Sequence, residues 1–194
     1  MTLPQTRTLH WPDEAACATS AAALAAAMRR TFSDRAGVHD AFIELHGPLG
    51  AGKTTFVRHL LHALGVKGRV KSPTYAVLEE YEVPAPWGDD AGEVHRVFNI
   101  RHFDFYRFDD PQEWEDAGFR DVFASPGLKL AEWPDKADGL LPLPDLRITI
   151  EPDVDAASDE RRAVQISALT ALGAELLGSL GAELLASLGA DRPG

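Results

Sequence analysis

A run of eight residues, 47–54, has a composition suited to holding phosphate groups. Its sequence is Gly47-Pro48-Leu49-Gly50-Ala51-Gly52-Lys53-Thr54, which matches G-x-x-x-x-G-K-[ST] at every fixed position. The glycines let consecutive backbone N–H groups converge on phosphate oxygens, the lysine reaches the outer phosphates, and the threonine hydroxyl suits magnesium. The pattern predicts a Mg²⁺–ATP site on segment 47–55, with these contacts: Gly47, Leu49, Gly50, Ala51, Gly52, Lys53, Thr54 and Thr55.

Two acidic residues further along the chain are candidates for the catalytic and metal-binding carboxylates. Asp104 lies in a strand-like run, and Glu132 ends the apolar run that begins at Leu128. Phosphoryl chemistry at such a loop needs carboxylates that hold magnesium and orient the attacking group, usually at the ends of neighbouring strands. We therefore expect both side chains to face the crevice above Lys53.

The local pattern around the phosphate motif predicts a strand, a glycine loop and a helix. Residues 41–46 are apolar and strand-like, residues 54–64 carry apolar side chains at helical spacing, and Gly65 ends that run. After an irregular start, residues 13–30 predict an alanine-rich helix whose first turn is acidic. A helical tail is expected over residues 168–189, where an eight-residue unit is repeated.

The remaining segments predict strands and one further helix. Residues 70–83 and 94–105 read as extended segments that could form a hairpin across the polar connection 84–96, and residues 112–118 read as a helix. Further strands are expected over three ranges: 128–133, 146–151 and 163–166. The whole predicts an α/β chain with a three-layer P-loop NTPase fold, a mixed, mainly parallel central sheet and one domain over residues 1–194, its core at about 41–151.

Composition limits the partners and the compartment. Thirty acidic residues against nineteen basic ones give a net charge of −11, which disfavours unaided binding to nucleic acid. Cys17 is the only cysteine, which excludes an intramolecular disulfide and fits the reducing cytoplasm. The alanine-rich stretch 15–28 is too short to span a bilayer.

Other P-loop classes fit the sequence less well. A guanine-specific switch protein needs N-K-x-D, and residues 135–138 read Asp-Lys-Ala-Asp instead. A small-molecule kinase needs arginines over the phosphates, a role that Arg107 or Arg120 could fill. A third alternative is a binding module that senses ATP for partner proteins without appreciable hydrolysis.

Four sequence blocks together resemble one family. They are GPLGAGKTTFVR at 47–58, KSPTYAVLEEY at 71–81, HFDFYRFDDPQEWEDAGFRDVF at 102–123 and LAEW at 130–133. In this order they resemble the TsaE family, also called YjeE. The resemblance implies a small bacterial ATPase, weakly active alone, that is needed for N6-threonylcarbamoyladenosine at position 37 of tRNA. It also implies that the protein acts with a TsaB–TsaD heterodimer and meets tRNA only through those partners.

The resemblance also assigns roles to residues of this chain. Lys53 and Thr54 match the P-loop lysine and magnesium ligand, and Thr55 matches the second loop hydroxyl. Asp104 and Glu132 match the family's two acids, with Glu132 the stronger magnesium ligand. The remaining assignments are a switch-like loop at Ser72, Pro73 and Thr74, and a site-shaping role for Trp133.

Two features depart from the family pattern, and the adenine contacts are not defined by it. Pro48 stands where aspartate is common and lacks an N–H group, so any phosphate contact must come from later loop residues. The connection 84–96 is longer than usual. Trp11 and Glu14, just before the first predicted helix, are candidates for contacting adenine.

Overall fold

The computed structural model describes residues 5–34, 39–73, 76–85, 97–153 and 161–190. Seven strands are present in these ranges: β1 (Gln5–Trp11), β2 (Asp40–His46), β3 (Leu78–Pro84), β4 (Val97–Asp104), β5 (Gly127–Glu132), β6 (Leu146–Pro152) and β7 (Arg162–Ala168). The helices are α1 (Glu14–Ser33), α2 (Lys53–Leu64), α3 (Pro111–Asp116), α4 (Phe119–Ala124) and α5 (Ala171–Ala190), with a 3₁₀ turn at Pro134–Ala137.

The strands form one mixed sheet in the order β1-β7-β6-β2-β5-β4-β3. The four strands β6, β2, β5 and β4 pair in parallel. Strand β7 is antiparallel to both β6 and β1, and β3 forms an antiparallel hairpin with β4. Five of the seven strands therefore run in one direction, and the predicted mixed, mainly parallel sheet is confirmed.

The two faces of the sheet carry separate apolar clusters. On one face, Ile43 and Leu130 pack with side chains of α1, α2 and α5. On the other face, Phe103 packs with aromatic side chains of α3 and α4 in a second cluster. Helices thus cover both faces, which is the expected three-layer arrangement.

Local sequence explains where the helices begin and end. The Asp13 carboxylate accepts a hydrogen bond from the Ala16 amide at 2.9 Å and caps α1, and Asp110 caps α3 in the same way. Helix α2 ends at Gly65, which adopts a left-handed conformation at φ 110°. None of the helices in the described ranges is both long and apolar enough to cross a membrane.

The structure differs from the expected secondary structure at three places. The start of the chain is not irregular, because residues 5–11 form β1 and pair along their length with β7. A separate helix, α4, follows the predicted helix after a left-handed turn at Gly118. The predicted tail helix begins at Ala171 rather than 168, since Ala168 is still paired with Gln5 in the sheet.

Candidate functional site

The phosphate motif joins the end of β2 to the start of α2, in the strand-loop-helix order expected from sequence. Gly47 has φ 136°, and a Cβ atom there would lie 2.1 Å from the backbone oxygen of Ile150 in β6. The loop therefore passes too close to the sheet for any side chain at this position. No acidic residue lies in the first turn of α2, so the amides and the positive end of its dipole are available to an anion.

The ammonium group of Lys53 is held inside the loop. Its Nζ donates hydrogen bonds to the carbonyl oxygens of Gly47 at 2.6 Å and Pro48 at 2.9 Å. The same atom lies 3.8 Å from the centre of the Trp133 ring, a cation–π contact. Burial lowers the pKa of Lys53 from its usual range, and the nearby carboxylates of Glu132 and Asp104 oppose that shift.

Asp104 and Glu132 lie side by side at the ends of adjacent parallel strands. The two residues are paired in the β4–β5 register, and both are almost fully buried. The Thr54 hydroxyl donates to the Glu132 carboxylate, with distances of 2.8 and 2.9 Å to its two oxygens. Asp104 accepts from the Ser72 hydroxyl and from the Tyr106 amide. The parallel register thus brings both acids to the loop.

The donor set fits magnesium bound together with a nucleotide. The hydroxyl of Thr54 and the carboxylates of Glu132 and Asp104 are hard oxygen donors lining one cavity of about 360 Å³ beside the glycine loop. Within the described ranges, no three His, Cys, Asp or Glu side chains converge as a self-contained metal centre. Mg²⁺ needs no such cage, because it commonly takes one or two carboxylates and completes its shell with phosphate and water.

Trp133 has an unusual backbone conformation for a large side chain. Its φ of 57° and ψ of 45° are left-handed, and the residue is the N-cap of the 3₁₀ turn that follows β5. The Tyr106 ring lies 5.0 Å from the Trp133 ring, and both residues line the loop cavity. Non-glycine residues keep such conformations only where the surroundings enforce them. Here the conformation places the indole against Lys53.

A second cavity, of about 260 Å³, shares residues 50–52 and Thr55 of the glycine loop with the first. Its lining includes Trp11, Glu14, Thr55 and Arg162, together with loop residues. Trp11 is fixed by stacking on Phe56 at 5.5 Å and by a hydrogen bond from its indole N–H to Ser20. Arg162 donates to the Ala51 carbonyl oxygen at 3.0 Å. This second cavity adjoins the phosphate loop and has room for part of a nucleoside.

Comparison with known proteins identifies the family. A family model described as "Threonylcarbamoyl adenosine biosynthesis protein TsaE" matches residues 11–163. The chain belongs to the TsaE family. Among curated relatives, the TsaE protein of Haemophilus influenzae is 39% identical over 135 residues, covering 70% of this chain and 75% of the relative. The Bacillus subtilis TsaE is 33% identical over 127 residues, covering 66% and 69%.

A solved structure resembles the whole fold. The crystal structure of Bacillus subtilis YdiB superposes with a TM-score of 0.63, covering 93% of this chain and 97% of that one. The sequence identity is 23%, so this likeness supports the fold alone. The sheet and the glycine loop described above are consistent with a P-loop NTPase fold.

The structure brings most of the sequence-predicted site residues together. Those lining the loop cavity are Leu49, Gly50, Ala51, Gly52, Lys53, Thr54, Thr55, Ser72, Asp104, Glu132 and Trp133. Gly47 and Pro48 supply the carbonyl groups that hold the lysine. Thr74 and most of the connection 84–96 lie outside the described residues. The adenine candidates Trp11 and Glu14 line the second cavity rather than the first.

Several residues at the site carry no predicted role from sequence. His102 contacts Glu132, Tyr106 packs on Trp133, and Arg162 contacts the glycine loop from a position 111 residues away. His102 could have been found from strand alternation, because it precedes Asp104 by two residues and shares its face. Arg120, proposed as a kinase lid residue, pairs with Glu115 and lines a separate cavity.

Proposed function

We propose that this TsaE-family chain binds Mg²⁺–ATP and hydrolyses it slowly, under the control of partner proteins, in the threonylcarbamoyladenosine modification of tRNA. Family membership and the names of its relatives support the pathway. The observation that carries the ATP part is the contact between the Thr54 hydroxyl and Glu132 beside Lys53. A single cavity is lined by all three groups: the Thr54 hydroxyl, the Glu132 carboxylate and the Lys53 ammonium group.

Each residue has a distinct role in the proposed chemistry. The amides of the glycine loop and the start of α2 bind phosphate oxygens, and Lys53 exchanges its bonds to Gly47 and Pro48 for the outer phosphates. Thr54 and Glu132 would hold Mg²⁺, directly or through water. Bound there, Mg²⁺ would neutralise charge on the phosphates.

Asp104 and Ser72 occupy the cavity wall beside Glu132 and have a different role. Asp104 is fixed by the Ser72 hydroxyl and by the Tyr106 amide. Held in this way, its carboxylate can orient the attacking water or support the metal shell. We propose that Ser72 and Thr74 belong to a loop that responds to the terminal phosphate.

The second cavity is the proposed nucleoside site. Trp11 presents a fixed aromatic ring, and Glu14 lies at the same opening. Aromatic rings and a few polar groups are the usual lining of such sites. Residues 50–52, which line both cavities, would then contact both the phosphates and the nucleoside.

The partners and the setting follow from family membership and charge. We propose that the chain acts as one P-loop ATPase domain in the cytoplasm, together with a TsaB–TsaD type heterodimer. The net charge of −11 opposes direct binding to tRNA, so the partners would hold the tRNA.

Calorimetry and steady-state phosphate release test the proposal. Lys53→Ala should abolish ATP binding in a folded protein, whereas Glu132→Gln should lose turnover by on the order of 10²-fold or more while still binding nucleotide. Adding TsaB and TsaD should stimulate phosphate release, and omitting this chain from a reconstituted reaction should stop repeated tRNA modification. Unchanged ATP affinity in folded Lys53→Ala would refute the phosphate assignment.

A further inference from the structure

His102 is a buried histidine whose side chain makes its only hydrogen bond, within the described residues, to the proposed metal-binding carboxylate. It lies two residues before the C-terminal end of β4 and is 0% exposed. Its Nε2 atom is 2.9 Å from Oε1 of Glu132. Its other ring nitrogen, Nδ1, has no hydrogen-bond partner among the described residues. Only one of the two ring nitrogens is therefore hydrogen-bonded.

The sheet geometry accounts for this contact. His102 and Asp104 are two residues apart on β4, so their side chains lie on the same face. In the parallel register His102 is opposite Leu130, and Asp104 is opposite Glu132 on β5. His102 is thus one pleat deeper than the two acids, between them and the apolar core that contains Leu130. From this position its imidazole contacts the Glu132 carboxylate from the side of the apolar core.

The surroundings select one tautomer of the ring. An ionised Glu132 offers only acceptors, so Nε2 must carry the proton that lies in the contact. Nδ1 is left without a hydrogen-bond partner among the described residues, which is a cost in desolvation. A leucine at this position would fill the core without leaving an unpaired polar atom. The hydrogen bond to Glu132 therefore explains a histidine at this position better than core packing does.

We infer that His102 is a positioning residue that fixes the Glu132 carboxylate for Mg²⁺ binding, an inference that rests on the proposed nucleotide site. The last torsion of a glutamate side chain is broad, and two donors are needed to define it here. Thr54 donates from the loop side and His102 from the core side. These two contacts hold the Glu132 carboxylate where it lines the loop cavity. Outer-shell donors of this kind commonly change metal affinity 10–100-fold.

The test compares His102→Leu with His102→Gln in the full chain. Leucine removes the donor, whereas the side-chain amide of glutamine can place an N–H group near the position of Nε2. The readouts are the Mg²⁺ concentration needed for half-maximal binding of a fluorescent ADP, and the ADP affinity at saturating Mg²⁺. His62→Leu is the matched control, because the His62 ring contacts the Gly68 carbonyl oxygen at the C-terminal end of α2, at the opposite end of the helix from the glycine loop. Circular dichroism and thermal unfolding establish that each variant is folded.

We expect His102→Leu to need about 10–100-fold more Mg²⁺ while its ADP affinity at saturating Mg²⁺ matches the wild type. His102→Gln should recover most of the loss, and His62→Leu should show none. An unchanged Mg²⁺ midpoint in His102→Leu, or equal losses in the leucine and glutamine variants, would overturn the positioning role alone. If His102→Leu does not fold, His102→Met serves as the second variant without a donor, and a normal Mg²⁺ midpoint in folded His102→Met would overturn the positioning role and assign the ring to packing.

The proposed function fails in a distinguishable way. If the wild-type chain shows no Mg²⁺-dependent ADP binding, the nucleotide site is wrong and the role of His102 falls with it. If the wild type binds ADP normally and only the two His102 variants contradict the expectation, the nucleotide site stands. The wild-type titration therefore separates the two failures.

Discussion

The close approach of the glycine loop to β6 makes Gly47→Ala a sharp test of the site's construction. A Cβ atom at this position would lie 2.1 Å from the Ile150 oxygen and 3.2 Å from the Ala51 Cβ. Both the strand and the loop would have to move. The residue also has φ 136°, a conformation that is strained for any residue with a side chain.

The expected loss of stability combines two costs. Holding an L-residue at positive φ costs about 1–3 kcal/mol, and overpacking against fixed neighbours costs about 1–3 kcal/mol more. A total near 4 kcal/mol is a large part of the roughly 5–15 kcal/mol of an ordinary domain. In a chain of this size, it should lower Tm by about 8–16 °C.

Gly65→Ala supplies the control for this experiment. Gly65 also has positive φ, at 110°, but a Cβ atom there meets nothing within 4 Å. Thermal unfolding should therefore show a loss for Gly47→Ala that exceeds that of Gly65→Ala by about 1–3 kcal/mol. ADP binding should weaken only in Gly47→Ala. Equal stability losses in the two variants would refute the steric argument, and normal ADP binding by Gly47→Ala would refute the need for a fixed loop.

Three further predictions concern residues outside the metal site. Arg162→Ala should weaken ADP binding roughly 10-fold in calorimetry, because it removes a charged hydrogen bond to the Ala51 carbonyl; unchanged affinity would contradict this support of the loop. Asp145→Ala should destabilise the fold by about 2–3 kcal/mol in urea unfolding with normal ADP affinity, since Asp145 accepts from the Phe42 amide at the opposite end of β2. Burial, aided by Glu14, raises the pKa of Cys17 to about 12. Thiol labelling of the native chain at pH 8 should therefore be slow, rise about tenfold per pH unit and become rapid in urea, whereas rapid native labelling would show that the thiol is accessible.

The glycine loop could be predicted from sequence because its signal is contiguous. Strand β2, the loop and α2 follow one another, and each is specified by its own local pattern. Asp104 and Glu132 are 28 residues apart, yet their convergence also followed from sequence, because parallel strands end at the same edge of a sheet. Local pattern and a general rule of topology together located the acids.

Features that depend on the pairing of strands far apart in the sequence could not be predicted from local patterns. Residues 5–11 contain exposed polar side chains, and they form a strand because β7 supplies the hydrogen bonds. Arg162 reaches Ala51 only because β7 lies beside β6, which in turn lies beside β2. Strand order decides such contacts, and a single sequence contains no local signal for it.

The net charge of the chain and the charge of its proposed ligand have the same sign, so local geometry must provide the attraction. The chain carries −11 overall, and Asp104 and Glu132 add negative charge within the loop cavity itself. Lys53 is a single cation whose charge is already disfavoured by burial. The amides of the loop and the dipole of α2 act at contact distance, where screening by water is weakest. They favour phosphate, but two carboxylates beside it repel it unless Mg²⁺ lies between them. The two acids would therefore make the triphosphate without magnesium a poor ligand and the magnesium complex a good one. For this reason the orientation of the Glu132 carboxylate should affect nucleotide affinity as much as its charge does.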